Sequence, residues 1–433
     1  MSFFEFHKPK NHVHSKINNE KEKIIMANKK TATSTSVYER NLKIIMWESI
    51  LTSIGAGFSI STITVFWNSI GMNQTAIGFV QMIFTIVILF LDIPMGYIAD
   101  RFNRKVLNII GDIGVAVTFL FYGFAQNMYM AIIAESLLGI FLAMTNGVDQ
   151  CFVKFNANKI DSTGELLKKI NTKMHTLKYI TMLFVILIGG FIAKYNLRLT
   201  VSLSFIPYMI GGIIAFFIKD YNGKAKVIHK NPIKDLVGNV KKIIKTPKVK
   251  TYLLSYIVGR EITHSQIWVL TPLLIMVGVP IEIVSLGWIF NNIMQIIGGK
   301  IAEKMIHLKI SNKFAIPVLI EIIWIIILIV NTNVVTVWLF TLNGLVHGLV
   351  NGSLITPLQE ATKDELQTSV MSIASTGARL LYVPLVYFTN YLGNIKLQLA
   401  LVGVAIVFIP IGLIVYKQLR RLEKNLGATI NQE

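Results

Sequence analysis

Long apolar runs separated by short polar segments dominate the chain from Leu42 onward. Each run lasts about 18–25 residues, enough for a helix to cross ~30 Å of hydrocarbon. The pattern predicts membrane helices over 43–67, 76–98, 106–124, 128–149, 176–194 and 199–218. It predicts six more over 250–277, 282–302, 313–330, 334–356, 368–391 and 396–416. Helices are required because a span must satisfy its own backbone groups in lipid. The expected fold is all-α and integral to the membrane, twelve helices in two six-helix bundles. Residues 1–42 read as a disordered cytosolic tail, 43–218 and 250–416 as the two bundles, and 417–433 as a second cytosolic tail. Met26-Ala27-Asn28-Lys29-Lys30 also looks like a protein start, so translation from Met26 is a further expectation.

Composition agrees with the pattern. Of 433 residues, 53% are hydrophobic and 15% charged, against roughly 25% charged in soluble domains. A net charge of +19 raises nucleic acid as a partner, but its distribution points elsewhere. Thirty-seven of the 42 lysines and arginines fall in the N-terminal stretch or in segments on the same side of the bilayer. Only Lys194, Arg198 and Lys396 lie on the other side, while Arg260 and Arg379 sit inside spans. That bias puts both termini in the cytoplasm of a cell with a plasma membrane of prokaryotic type. The single cysteine, Cys151, excludes an intramolecular disulfide and multi-cysteine metal sites. No phosphate-binding G-x-x-x-x-G-K-[ST] run occurs, so no ATP-driven step is expected within the chain.

Between the second and third spans stands Gly96-Tyr97-Ile98-Ala99-Asp100-Arg101-Phe102-Asn103-Arg104-Lys105. One carboxylate and three cations there are far too polar for hydrocarbon, so the segment reads as a tight charged hinge. It resembles the loop G-x-x-x-D-R-x-x-R-[RK] of the major facilitator superfamily. The resemblance covers about residues 41–418 and implies a carrier working by alternating access. It further implies that Gly96, Asp100, Arg101, Arg104 and Lys105 form a latch between the halves on the cytosolic side. Asn103 stands where the family prefers glycine, and asparagine tolerates a left-handed backbone.

The halves repeat. Gly96-x-x-x-Asp100-Arg101 is echoed by Gly299-x-x-x-Glu303-Lys304, and Asn146-Gly147 by Asn351-Gly352. Two anchors at nearly one offset indicate a six-plus-six duplication. Between the halves, the linker 219–249 contains Asn231-Pro232, a helix start. Ile233, Leu236, Val237, Val240, Ile243 and Ile244 follow on one face, with lysines off it. This reads as an amphipathic basic helix on an anionic inner leaflet, with a solvated linker as the plainer alternative.

Ionisable residues inside spans are costly in lipid and usually face a cavity or a partner. The family resemblance implies that the first, fourth, seventh and tenth spans line the cavity. They carry Glu48, Glu135, Arg260, Glu261, His264 and His347, and Arg379 lies midway along the eleventh. His264 shares a helix face with Arg260 or Glu261. Carboxylates and imidazoles are the side chains suited to carry protons, so Glu135, Glu261 and His264 are the candidate carriers, with Arg260 or Arg379 as counter-charge. A structural Arg260–Glu261 or Glu261–Arg379 ion pair is the alternative. Asp92 fits the hinge, and Asp112 and Glu321 are expected to have local partners. Asn291, Asn292 and Gln295 read as helix–helix bonding residues, with hydrogen bonds to substrate as the alternative.

Two departures bear on function. Exporters of the family driven by proton antiport often have an arginine where Glu135 stands, and a G-x-x-x-G-P run in the fifth span. Here that span has Gly189-Gly190 and no proline. The reading is a monomeric secondary carrier of a small organic solute, proton-coupled export first and proton-coupled uptake or uniport second. A transporter-like sensor is the remote alternative. No cofactor, metal, nucleic-acid partner or enzymatic activity is expected; the proton gradient supplies the energy.

Overall fold

The computed structural model describes residues 11–101, 104–146, 148–219, 238, 240–243, 245–363 and 366–430. Side chains of 11–35 and of several hinge positions, including Asp100 and Arg101, fall outside that description. The described residues contain helices and no strand. In the first half these are α1 (Asn11–Ile60), α2 (Ile63–Ser69), α3 (Gln74–Arg101), α4 (Arg104–Phe124), α5 (Met128–Thr145), α6 (Val148–Ile160), α7 (Glu165–Tyr195), α8 (Leu197–Leu203) and α9 (Phe205–Ala215). The second half contributes α10 (Pro247–His264), α11 (Ile267–Met276), α12 (Ile281–Lys304), α13 (Ile310–Val330), α14 (Val334–Phe340), α15 (Asn343–Glu360), α16 (Gln367–Ile395) and α17 (Leu397–Ile430).

Among the described residues, ten helical segments are long and apolar enough to span a membrane, or eleven if α1 and α2, bent by 45°, make one span. The remaining expected span, 250–277, is divided into α10 and α11. Its charges Lys250, Arg260 and Glu261, with Lys248 just before them, all fall in α10, which explains why it lacks a clean apolar window.

The divisions have a local cause. Around Ser61, the Ser59 hydroxyl donates to Ala56 O and the Thr62 hydroxyl to Phe58 O. Around Ser265, Thr263 donates to Arg260 O, and the Gln266 amide to Ile262 O at 2.5 Å. Such side chains compete for helix carbonyls and loosen the ladder. Both breaks occupy the same place in the repeat: α1 ends at Ile60 and α10 at His264, 204 residues on. Asn127 and Asn333 likewise cap α5 and α14, each accepting a backbone N–H three residues ahead.

Two expected boundaries move. The stretch before Leu42 is helical from Asn11, where a disordered tail was expected. A helix already nucleated in a span extends at little cost. Arg40 and Asn41 belong to the first bundle, donating to Phe217 O and Lys219 O respectively. The C-terminal segment also continues as helix to Ile430, and Glu423 accepts the N–H and hydroxyl of Ser311, both at 2.8 Å. The linker helix expected over 219–249 lies mostly outside the described residues.

The halves meet through α3 against α16 and α7 against α12. On the face away from the termini they are tied together. Gln74 donates to Asn390 at 2.6 Å and to Trp268 O at 3.2 Å. The Trp67 and Trp268 rings lie 5.6 Å apart, and Lys194 pairs with Glu282 at 2.8 Å. On the terminal face, the early part of α7 and the late part of α12 border a cavity of about 890 Å³, with Lys168, His175 and Lys300 on its walls.

Candidate functional site

At mid-depth, α10 carries Arg260, Glu261 and His264 into a cavity of about 220 Å³ shared by both halves. Gln81, Phe84 and Thr85 of α3 form the first-half wall, and Arg379 and Tyr382 of α16 close the other side. His264 and Ile267 also border a second cavity of about 130 Å³, lined mostly by the second half, with His347, Asn343 and Trp288, and closed by Ile60 of α1. The α10–α11 break is thus the shared wall between the two spaces.

Glu261 is buried, with Arg260 Nε at 3.8 Å and His264 Nδ1 at 3.4 Å. Arg260 approaches Oε1 and His264 approaches Oε2, and the latter contact is not aligned as a hydrogen bond, leaving Oε2 without a hydrogen-bond partner. The imidazole lies beside the Tyr382 ring at 4.8 Å, and the Tyr382 hydroxyl accepts the Trp268 indole N–H at 2.6 Å. His347 Nδ1 sits 2.8 Å from the Thr263 hydroxyl. Two of the expected residues, Arg260 and His264, therefore flank the Glu261 carboxylate, and His347 reaches the same stretch of α10 through Thr263.

The other expected residues separate. Arg379 bonds Asp92, not Glu261, and so joins α16 to α3 across the halves; Asn146 donates to the other Asp92 oxygen at 3.3 Å. The Glu261–Arg379 pair is thereby replaced by Asp92–Arg379, because α3 lies directly against α16. Glu135 is buried in the first half, accepting the Tyr122 hydroxyl at 2.6 Å. Gln81 supplies a second contact, placing Glu135 one side chain behind the cavity wall. Glu48 is buried against Asn108 between α1 and α4, away from both cavities just described.

Of the hinge, Arg104 opens α4, and the Lys105 ammonium donates to Phe216 O at 2.6 Å and Ile218 O at 2.7 Å. The latch expected of Asp100 and Arg101, with Asn103, lies outside the described side chains. In the echo, Glu303 and Lys304 are exposed at the end of α12, and a Cβ on Gly299 would meet nothing within 4 Å. The close approach is made one residue earlier, where a Cβ on Gly298 would run into Leu345 O.

Glu321 acquires a place that sequence alone did not supply. Its Oε1 accepts the Gln266 and Asn343 amides, both at 2.8 Å. Those residues sit at the breaks that end α10 and begin α15, and both line the inner cavity. Among the expected bonding residues, Asn291 does join helices, donating to Thr341 O at 3.0 Å.

The sequence matches the Major Facilitator Superfamily over residues 49–384. The chain belongs to that family, whose fold is one of membrane transporters rather than enzymes. It is 23% identical over 250 residues to an uncharacterized MFS-type transporter of Methanocaldococcus jannaschii, covering 53% of this chain and 63% of that protein. It is 28% identical over 198 residues to multidrug resistance protein MdtG of Proteus mirabilis, covering 42% and 46%. The matched stretches thus span less than two thirds of either relative. Among solved structures, the nucleoside transporter NupG superposes with a TM-score of 0.72 at 12% identity, covering 89% of this chain and 99% of that one. A bacterial homologue of the lysosomal transporter Spinster, in an inward-facing and unoccupied conformation, gives 0.70 at 14% identity, covering 90% and 98%.

Proposed function

We propose that the protein is a secondary carrier in the plasma membrane, with both termini cytoplasmic, that exports a small organic solute in exchange for protons by alternating access. The observation that carries this reading is Glu261, a buried carboxylate flanked by Arg260 and His264 at the wall of a cavity both halves line. A group of that kind binds a proton or a solute charge, and competition between them couples their movements. Glu135, behind Gln81, is a second proton-binding group. The terminal face is taken as cytoplasmic from its lysines and arginines. The name of the MdtG relative favours export, and that of NupG makes nucleosides a substrate class to include.

The test is reconstitution in liposomes with a pH indicator trapped inside, under an imposed pH gradient. Lipophilic dyes and nucleosides serve as candidate solutes. Solute movement accompanied by proton flux supports the reading. Solute movement without proton flux removes proton coupling and leaves uniport, and accumulation with the proton gradient replaces export by uptake.

A further inference from the structure

At the terminal face of the second half, a cavity of about 640 Å³ lies between α10, α13, α15 and α17. Lys309, Lys313, Arg420 and Lys424 border it, with Glu360 and Glu423. Lys313 is only 8% exposed. It stands in the first turn of α13, where the helix dipole repels a cation. The Glu423 oxygens each accept a bond from Ser311. Among the described residues, none of the four cations lies within 4.0 Å of a carboxylate oxygen, and the Lys313 ammonium has no hydrogen-bond partner. An ammonium that reaches solvent through this cavity, in the first turn of a helix and without a counter-ion, leaves positive charge there to be neutralised.

We propose that this cavity is a binding site for a phosphorylated anion, the headgroup of an anionic phospholipid or a soluble phosphate. Cations converge on it from the loop before α13, from α13 itself and from α17. Several positive groups around one space suit a multiply charged anion with several acceptor oxygens better than a single carboxylate. The opening faces the side where most lysines and arginines gather, which is the side that meets an anionic leaflet. An occupant would neutralise Lys313 and join α17 to α13, next to the Glu423 contact that already links them. The site is separate from the central cavity, and nothing in its logic requires proton coupling.

The experiment is thermal unfolding of the full chain in a neutral detergent. Inorganic phosphate, short-chain phosphatidylglycerol and, at matched ionic strength, chloride are added in turn. Phosphate, phosphatidylglycerol or both should raise Tm by about 5 °C at saturation while chloride does not; whichever acts identifies the source. In Lys313→Met, the ligand-induced increment should disappear. If Lys313→Met does not fold, the exposed pair Arg420→Gln and Lys424→Gln together should cut the increment at least by half. No increment in the natural protein, one that chloride reproduces, or one these variants leave intact overturns the proposal.

Discussion

Glu261 and Glu321 are both buried carboxylates of the second half, yet their partners differ in kind. Glu261 has Arg260 and His264 as neighbours and an oxygen without a hydrogen-bond partner. In the reconstituted carrier, Glu261→Gln should abolish proton-driven solute movement and leave solute exchange at equal pH; unimpaired proton-driven movement removes Glu261 as the carrier. Glu321 instead has two amides on one oxygen. Glu321→Gln keeps an acceptor there, whereas Glu321→Ala strands both donors, at about 1–3 kcal/mol each. Thermal unfolding in detergent should therefore rank the natural protein and Glu321→Gln together, with Glu321→Ala clearly lower. Equal loss in both variants would mean that Glu321 acts through its charge. The sequence marked each of these residues as expensive in lipid. It did not say which carboxylate meets which partner, because partners on different spans are set by helix rotation.

At the scale of elements, the contact between α12 and α15 rests on missing side chains. Gly344, Gly348 and Gly352 recur at four-residue spacing, on one face of α15. A Cβ on Gly344 would overlap Asn291 O and one on Gly348 would overlap Gln295 O. Small residues at this spacing let membrane helices approach closely, where packing replaces the hydrophobic effect as the driving force. Gly348→Leu must push the helices apart and should cost about 3 kcal/mol or more, read as lost monodispersity on size exclusion and a lower Tm. Gly299→Ala, in open space, should behave like the natural protein; a matching loss there would restore the role first expected of Gly299. This glycine row was present in the sequence and readable as a small-residue face. The broken spans were less legible: Ser265-Gln266 reads as a mildly polar stretch until side-chain bonds to Arg260 O and Ile262 O show why the ladder yields.

For the whole molecule, the two halves are tied together on the face away from the termini. Lys194–Glu282 is a partly exposed pair across that face, so its contribution is small and weakened by salt. Lys194→Gln should shift the balance toward opening on that face by up to about fivefold. Spin labels at Tyr129→Cys and Val335→Cys, both exposed at helix starts on that face, in a Cys151→Ser background, report it as a longer distance population. No change at low salt would assign the closure to Gln74–Asn390 and the Trp67–Trp268 contact instead.

The sequence by itself determined the class of fold, nearly every span, the bias of positive charge and the internal repeat. These follow from local physics: a helix must be apolar over the thickness of a bilayer, and cations stay on one side of it. It also pointed to the hinge from Gly96 to Lys105 as the family's mark. Tertiary structure alone decided that Arg379 belongs to Asp92, that Glu321 holds two helix breaks, and that Lys313 stands unpaired at a charged cavity. Those are pairings between residues far apart in the chain. They depend on how each helix is rotated about its axis, and hydrophobic patterning constrains that rotation only weakly when most faces of a helix are apolar.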